Sequence, residues 1–219
     1  MKNLFIGLIL LSSQNLFSQN LEIIGGLNSN SFFNFVQSDG RFNSSYNSEQ
    51  GYTIRVGLGD IKLESLNFRF TLSYEKYGGE IDVSFYGLGG GTRTQAAIDK
   101  SVISLGVFPI NFKIIDRIDL NFGFEISGLI NENYSGTSSG HLMGDSWSYD
   151  LNEKYDRYSA KMYFGLRGRI AYDFNVSEKL AISPQYSYYL GLSREFDKFP
   201  DETKSMRHFF GIGLQRKII

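Results

Sequence analysis

The stretch Leu66-Asn67-Phe68-Arg69-Phe70-Thr71-Leu72-Ser73-Tyr74 decides the fold, because apolar and polar residues alternate through it without an error. A β-strand points successive side chains to opposite sides, so Leu66, Phe68, Phe70, Leu72 and Tyr74 share one face. Asn67, Arg69, Thr71 and Ser73 share the other. The pattern recurs from Ile118 to Ser127, where Ile118, Leu120, Phe122, Phe124 and Ile126 stand against Asp119, Asn121, Gly123, Glu125 and Ser127. Working outward, about eight strands can be marked: 21–28 (resuming at Phe32), 52–58, 66–77, 100–113, 118–129, 158–174, 180–192 and 206–218.

The connections between them alternate in length. Segments 59–65, 115–117 and 175–179 are short, whereas 29–50, 78–99, 130–157 and 193–205 are long, polar and rich in Gly, Ser and Asn. Short periplasmic turns and long external loops alternate in this way in outer-membrane barrels, and eight strands put both termini in the periplasm. The expected fold class is all-β: a single closed antiparallel up-and-down transmembrane β-barrel of about eight strands, after a cleaved signal peptide. Residues 1–18 read as that signal, with Lys2 as the charged start, Phe5–Leu11 as the apolar core and Ser18 before the cut. Residues 19–219 form the barrel. The apolar run is shorter than the roughly 18–20 residues a helix needs to span a bilayer. Without such a helix, membrane residence requires a closed barrel.

Composition narrows the function classes. A formal net charge of -1 argues against a nucleic-acid partner. The absence of Cys excludes disulfides and thiolate metal sites. Two His, His141 and His208, offer no ligand spacing, so neither a metal nor another cofactor is expected. An outer-membrane hydrolase would need a Ser near His208, and no motif supports one. Gly87-Leu88-Gly89-Gly90-Gly91 lacks the Lys-Ser/Thr of a phosphate loop and reads as a loop tip.

Charge placement suggests which face meets lipid. One face of the strands is nearly all Leu, Ile, Val, Phe and Tyr, while the other carries Arg55, Arg69, Glu75, Asp119, Glu125, Lys161, Arg167, Arg169 and Asp173. A soluble lipocalin-like barrel would reverse these faces. Phe, Trp and Tyr make up 16% of the chain, and many fall near strand ends: Tyr74, Tyr77, Phe108, Phe112, Tyr172, Phe174, Tyr186 and Tyr188. Interfacial girdles put aromatics there. The interior of an eight-stranded barrel is just wide enough for side chains, so the charged set reads as a structural lumen network. Pro184 and Pro109 each interrupt a strand. The apolar phase shifts at Pro109, from Ile103, Leu105 and Val107 to Phe108, Ile110 and Phe112, which suggests a bulge. In the longest loop, Tyr134, Trp147, Tyr149 and Tyr155 form a candidate binding surface.

Ile103-Ser104-Leu105-Gly106-Val107-Phe108-Pro109-Ile110-Asn111-Phe112-Lys113, the closing Phe210-Gly211-Ile212-Gly213-Leu214 and the export signal ending Phe17-Ser18-Gln19 carry a resemblance. The chain resembles the small bacterial outer-membrane β-barrel domain family, PorT-like proteins included, and more distantly the OmpA/OmpX-type eight-stranded barrels. The resemblance implies residence in the cell outer membrane, outer-membrane lipid as solvent and barrel-assembly machinery as a partner during insertion. The function expected is non-enzymatic: long external loops serve surface interaction or envelope integrity, with an extracellular or envelope protein as partner. The alternatives are an accessory of a secretion or transport machine, as the PorT likeness implies, a small-solute channel, and a soluble lipocalin-like barrel.

Overall fold

The computed structural model describes residues 20–33, 41–63, 66–115, 117–151, 159–197 and 202–218. The signal segment 1–18 lies outside them. Ten strands are present among the described residues: β1 (Asn20–Phe33), β2 (Phe42–Leu63), β3 (Leu66–Gly87), β4 (Gly90–Ile114), β5 (Ile118–Leu142), β6 (Asp145–Asp150), β7 (Met162–Tyr172), β8 (Phe174–Asn175), β9 (Leu180–Gly191) and β10 (Lys204–Lys217). Eight of them, β1 to β5, β7, β9 and β10, pair antiparallel with their neighbours in chain order. β10 then pairs β1 from Asn20↔Lys217 to Phe33↔Lys204, closing the barrel without a free edge. β8 continues β7 past Asp173 along β9.

The apolar face points outward. Leu72 is 56% exposed and Phe124 60%, whereas Arg55 is 0% exposed and Arg167 1%. Such exposure of large apolar side chains around a closed sheet is costly in water and favourable in hydrocarbon. Tyr52 and Tyr74 band the outer end, their rings 6.0 Å apart, and Tyr172 and Phe174 the periplasmic end, at 4.6 Å. Tyr77 and Phe108, expected in these girdles, instead point inward and are fully buried.

Phe108 keeps the inward parity of Val102, Ser104 and Gly106, and the irregularity at Pro109 follows it. Val107 pairs with Phe124 and Ile110 with Phe122, so β4 spends one more residue than β5. This bulge inverts the alternation. Ile103, Leu105, Ile110 and Phe112 therefore all meet lipid, although the sequence phase sets Ile110 and Phe112 on the opposite face. At Pro184 the ladder from β7 to β9 lapses after Ala171↔Gln185 and resumes at Phe174↔Ile182, opposite the residue that has no N–H.

The long external connections differ most from the sequence reading. Much of segments 41–50, 78–99 and 130–150 is strand, not loop. β2 pairs β3 up to Phe42↔Phe85, β3 pairs β4 up to Gly87↔Gly90, and β4 pairs β5 up to Gly90↔Leu142, with β6 added at the side. One wall of the barrel thus continues outward as a five-stranded sheet. Polar composition reads as loop, but the weak alternation Ile81/Val83 and Ala96/Ile98 is that of a half-buried strand. Those residues pack with Phe32, Tyr77, Tyr163 and Phe196 in an apolar cluster at the outer end.

Candidate functional site: the lumen and the external sheet

Inward positions place five guanidinium groups, from Arg55, Arg69, Arg167, Arg169 and Arg207, beside five carboxylates, from Glu22, Glu75, Asp119, Glu125 and Asp173, all 9% exposed or less. In the middle tier Glu75 faces three cations: Arg207 at 2.7 Å, Arg167 at 2.8 Å and Arg55 at 3.5 Å. Glu125 lies 2.5 Å from Arg167 and 3.3 Å from Arg207. In the periplasmic tier Glu22 joins Arg69 at 2.5 Å and Arg169 at 2.6 Å, and Arg69 reaches Asp119 at 3.5 Å. Asp173 accepts a hydrogen bond from Ser183 Oγ at 2.5 Å. Arg207 also lies over the Tyr189 ring, 3.8 Å from its centre. Buried charges are tolerated when paired and hydrogen-bonded, and here they balance.

Room for these long side chains comes from inward glycines. A Cβ at Gly213 would lie 2.6 Å from Glu22 Oε1, and one at Gly165 would lie 2.6 Å from the Tyr189 ring. Small residues opposite large ones let the narrow interior close-pack.

A third tier lies at the outer mouth. The segment after β9 crosses it, tied by Glu195 N–H to Thr203 O at 2.7 Å and by Ala160 N–H to Glu195 O at 3.1 Å. Glu195 accepts from Tyr77 Oη at 2.7 Å and from Lys100 Nζ at 3.1 Å, and Lys100 sits 4.1 Å from the Phe196 ring centre.

Most of the expected lumen residues lie inside: Arg55, Arg69, Glu75, Asp119, Glu125, Arg167, Arg169 and Asp173. Lys161 does not. It is exposed, because the chain bends at Ser159–Lys161 and the ladder begins only at Gly128↔Met162, so alternation does not extend back to it. Glu22, Lys100, Glu195 and Arg207 belong to the tiers although their sequence neighbourhoods gave little sign. Arg207 and Glu22 sit at inward parity in strands flanked by Gly, and that parity was the available signal. Glu195 lies in no strand.

Of the candidate binding aromatics, Trp147 and Tyr149 are exposed on β6, with rings stacked 5.5 Å apart. Tyr134 is 3% exposed and packs in the outer apolar cluster, its hydroxyl 2.8 Å from Ser159 Oγ. It is a core residue, because the register shift between Val102↔Leu129 and Ser101↔Asn131 reverses the alternation of β5 and directs Tyr134 inward. Tyr155 lies outside the described residues. His208 pairs in register with Ser29 on the outward face. Its Nδ1 lies 2.8 Å from Tyr186 Oη, and no hydrogen bond joins it to Ser29.

A closed sheet with an ion-paired interior, an apolar exterior and aromatic bands defines the class: an integral β-barrel protein of the bacterial outer membrane. No protein-family model matches the chain, and no curated protein matches it. Among solved structures it is similar in fold to Neisserial surface protein A (NspA), with 13% identity and a TM-score of 0.42 over 90% of this chain and 97% of that one. Ail, the attachment invasion locus protein of Yersinia pestis, has 12% identity and a TM-score of 0.40 over 90% and 97%. OprG from Pseudomonas aeruginosa has 12% identity and a TM-score of 0.39 over 92% and 98%.

Proposed function

We propose that this barrel is a non-enzymatic, non-conducting anchor that holds an external β-sheet above the membrane for contact with extracellular or envelope partners. The observation that carries the reading is the division of labour along its axis. The lumen is filled by mutually neutralised charges and covered by the Glu195–Phe196 segment, which leaves the projecting sheet as the part built for contact. Outer-membrane lipid surrounds the belt, and barrel-assembly machinery acts during insertion after a signal is cut before Gln19. Arg55, Arg69, Glu75, Glu125, Arg167, Arg169 and Asp173 serve structure within the lumen.

Three measurements test this. Cells displaying the protein should bind a partner surface that cells lacking it do not, and trimming the sheet at Gly79–Ile98 should abolish binding while the barrel still migrates faster unboiled than boiled. Purified protein in planar bilayers should give no steady conductance; discrete channels would refute the sealed lumen. Intact-mass analysis should place the mature N-terminus at Gln19. A secretion defect on deletion, without any loss of surface binding, would favour the machine-accessory reading.

A further inference from the structure

The inner face of the external sheet is organised in rows that cross the strands in register. The lowest row runs Ile81–Ala96–Gly136–Leu151, and its side chains are buried in the apolar cluster. The next is Val83–Thr94–Ser138–Tyr149, and the outermost is Phe85–Thr92–Gly140–Trp147. The two outer rows form a trough. Phe85, 48% exposed, stands on one side; Trp147 and Tyr149, 40% and 48% exposed, stand on the other. Three strand spacings of about 4.8 Å separate the walls by roughly 14 Å between backbones. The open floor between them is Thr92 and Thr94; Ser138 is buried, its hydroxyl 2.9 Å from that of Thr94.

From β6 the Trp147 ring reaches in over Gly140 and so narrows the trough. A Cβ at Gly140 would come 2.5 Å from the indole ring, so only glycine lets the ring rest on the sheet. Tyr149 is inclined to it by only 18°. The result is an aromatic surface bordered by hydroxyl groups. These two rows carry no charged side chain: the ion pair Arg93–Asp82, at 2.6 Å, sits on the opposite face. The floor's backbone groups are committed to the β3–β4–β5–β6 ladders. An extended peptide laid on the floor would find no backbone partner there, and an anionic ligand no cation within these two rows. A pyranose ring offers a C–H face for aromatic stacking and hydroxyl groups for Thr92 and Thr94.

We propose that the trough between Phe85 and Trp147/Tyr149 binds a neutral oligosaccharide. The inference rests on the reading of the external sheet as a contact surface and names its ligand class. Trp147 is the one tryptophan of the chain and so reports on the site directly. The test titrates the full mature protein, in an amine-oxide detergent rather than a sugar-headed one, with hexaoses of glucose (α-1,4 and β-1,4) and of N-acetylglucosamine while following Trp147 emission. A saturable quench or blue shift with at least one of them is expected. It should weaken about tenfold when one stacking ring is removed in Phe85→Ala or Tyr149→Ala. Lys161→Ala, away from the external sheet, should leave it unchanged. Both ring variants should keep their heat-modifiable migration. No response to any of the three, or a response only to a heparin hexasaccharide or a Lys-rich peptide, would overturn the glycan proposal. Surface binding by displaying cells separates the two ideas. If the hexaoses fail but the ring variants lose cell binding, the contact surface stands without the glycan; if the ring variants bind cells as wild type does, both fall.

Discussion

Replacing Glu75 by glutamine removes one negative charge from the most shared position in the lumen and changes little else. The substitution keeps the side chain's length. It takes away the counter-ion of Arg207 at 2.7 Å, Arg167 at 2.8 Å and Arg55 at 3.5 Å. Arg167 and Arg207 retain Glu125, at 2.5 Å and 3.3 Å, but Arg55 has no other ion pair among the described residues. Both Arg55 and Glu75 are out of contact with water, at 0% and 1% exposure, so screening does not soften the loss. Breaking a buried ion pair by removing one partner costs about 3–5 kcal/mol, because the remaining charge stays desolvated. At about 1.4 kcal/mol per decade, E75Q should raise the unfolding constant by roughly 10²-fold to several thousand-fold. The assay is urea unfolding in lipid vesicles, followed by the loss of heat-modifiable migration. Arg207→Gln alone should also destabilise. The double variant E75Q/R207Q, which restores the charge balance, should cost less than the sum of the singles by about 1 kcal/mol or more. If E75Q lies within about 0.5 kcal/mol of wild type, the range of ordinary surface changes, or if the two substitutions add, the lumen is not held by these charges.

Other expectations follow from the same geometry. Leu105→Arg, on the lipid face of β4, should destabilise the barrel by about 2–4 kcal/mol in the vesicle assay. Lys161→Ala, outside the lumen, should stay within about 0.5 kcal/mol of wild type. Gly213→Ala places a methyl group 2.6 Å from Glu22 Oε1 and 2.9 Å from Gln185 Nε2. It should cost about 1–3 kcal/mol as the lower ion cluster gives way. Arg93 hydrogen-bonds Asp82 and holds its carboxyl below the usual range. A carboxyl depressed in the folded state stabilises at pH above its unfolded value and loses that contribution as pH falls through the folded one. Limited proteolysis of the external sheet should therefore be flat from pH 7 to about 5 and rise below about 4. Asp82→Asn should already show the acid level of cleavage at pH 7; a cleavage profile unchanged by that substitution would remove the pair from the account.

The sequence by itself determined the alternation and hence the faces. A period of two in Leu66–Tyr74 and Ile118–Ser127 fixes which residues share a side, whatever they pack against. The same parity singled out Arg55, Arg69, Glu75, Glu125, Arg167, Arg169 and Asp173 as one set. Tertiary structure decided who meets whom. Glu22 and Arg169 are 147 residues apart and touch only because the barrel closes in a particular register. Alternation says nothing about register, since sliding a strand by two residues preserves every face. The bulge at Pro109 and the bend before Met162 show the other limit: an extra residue or a break in the strand interrupts parity, putting Ile110 and Phe112 on the lipid face with Ile103 and leaving Lys161 outside. The external sheet escaped the sequence reading because its strands are polar on one side and only partly apolar on the other. Their pairing is held by the ladder and by the cluster around Phe196, which forms only when the segment after β9 folds over the mouth. The row joining Phe85 to Trp147 spans four strands distant in sequence, so only their assembly in register creates the trough.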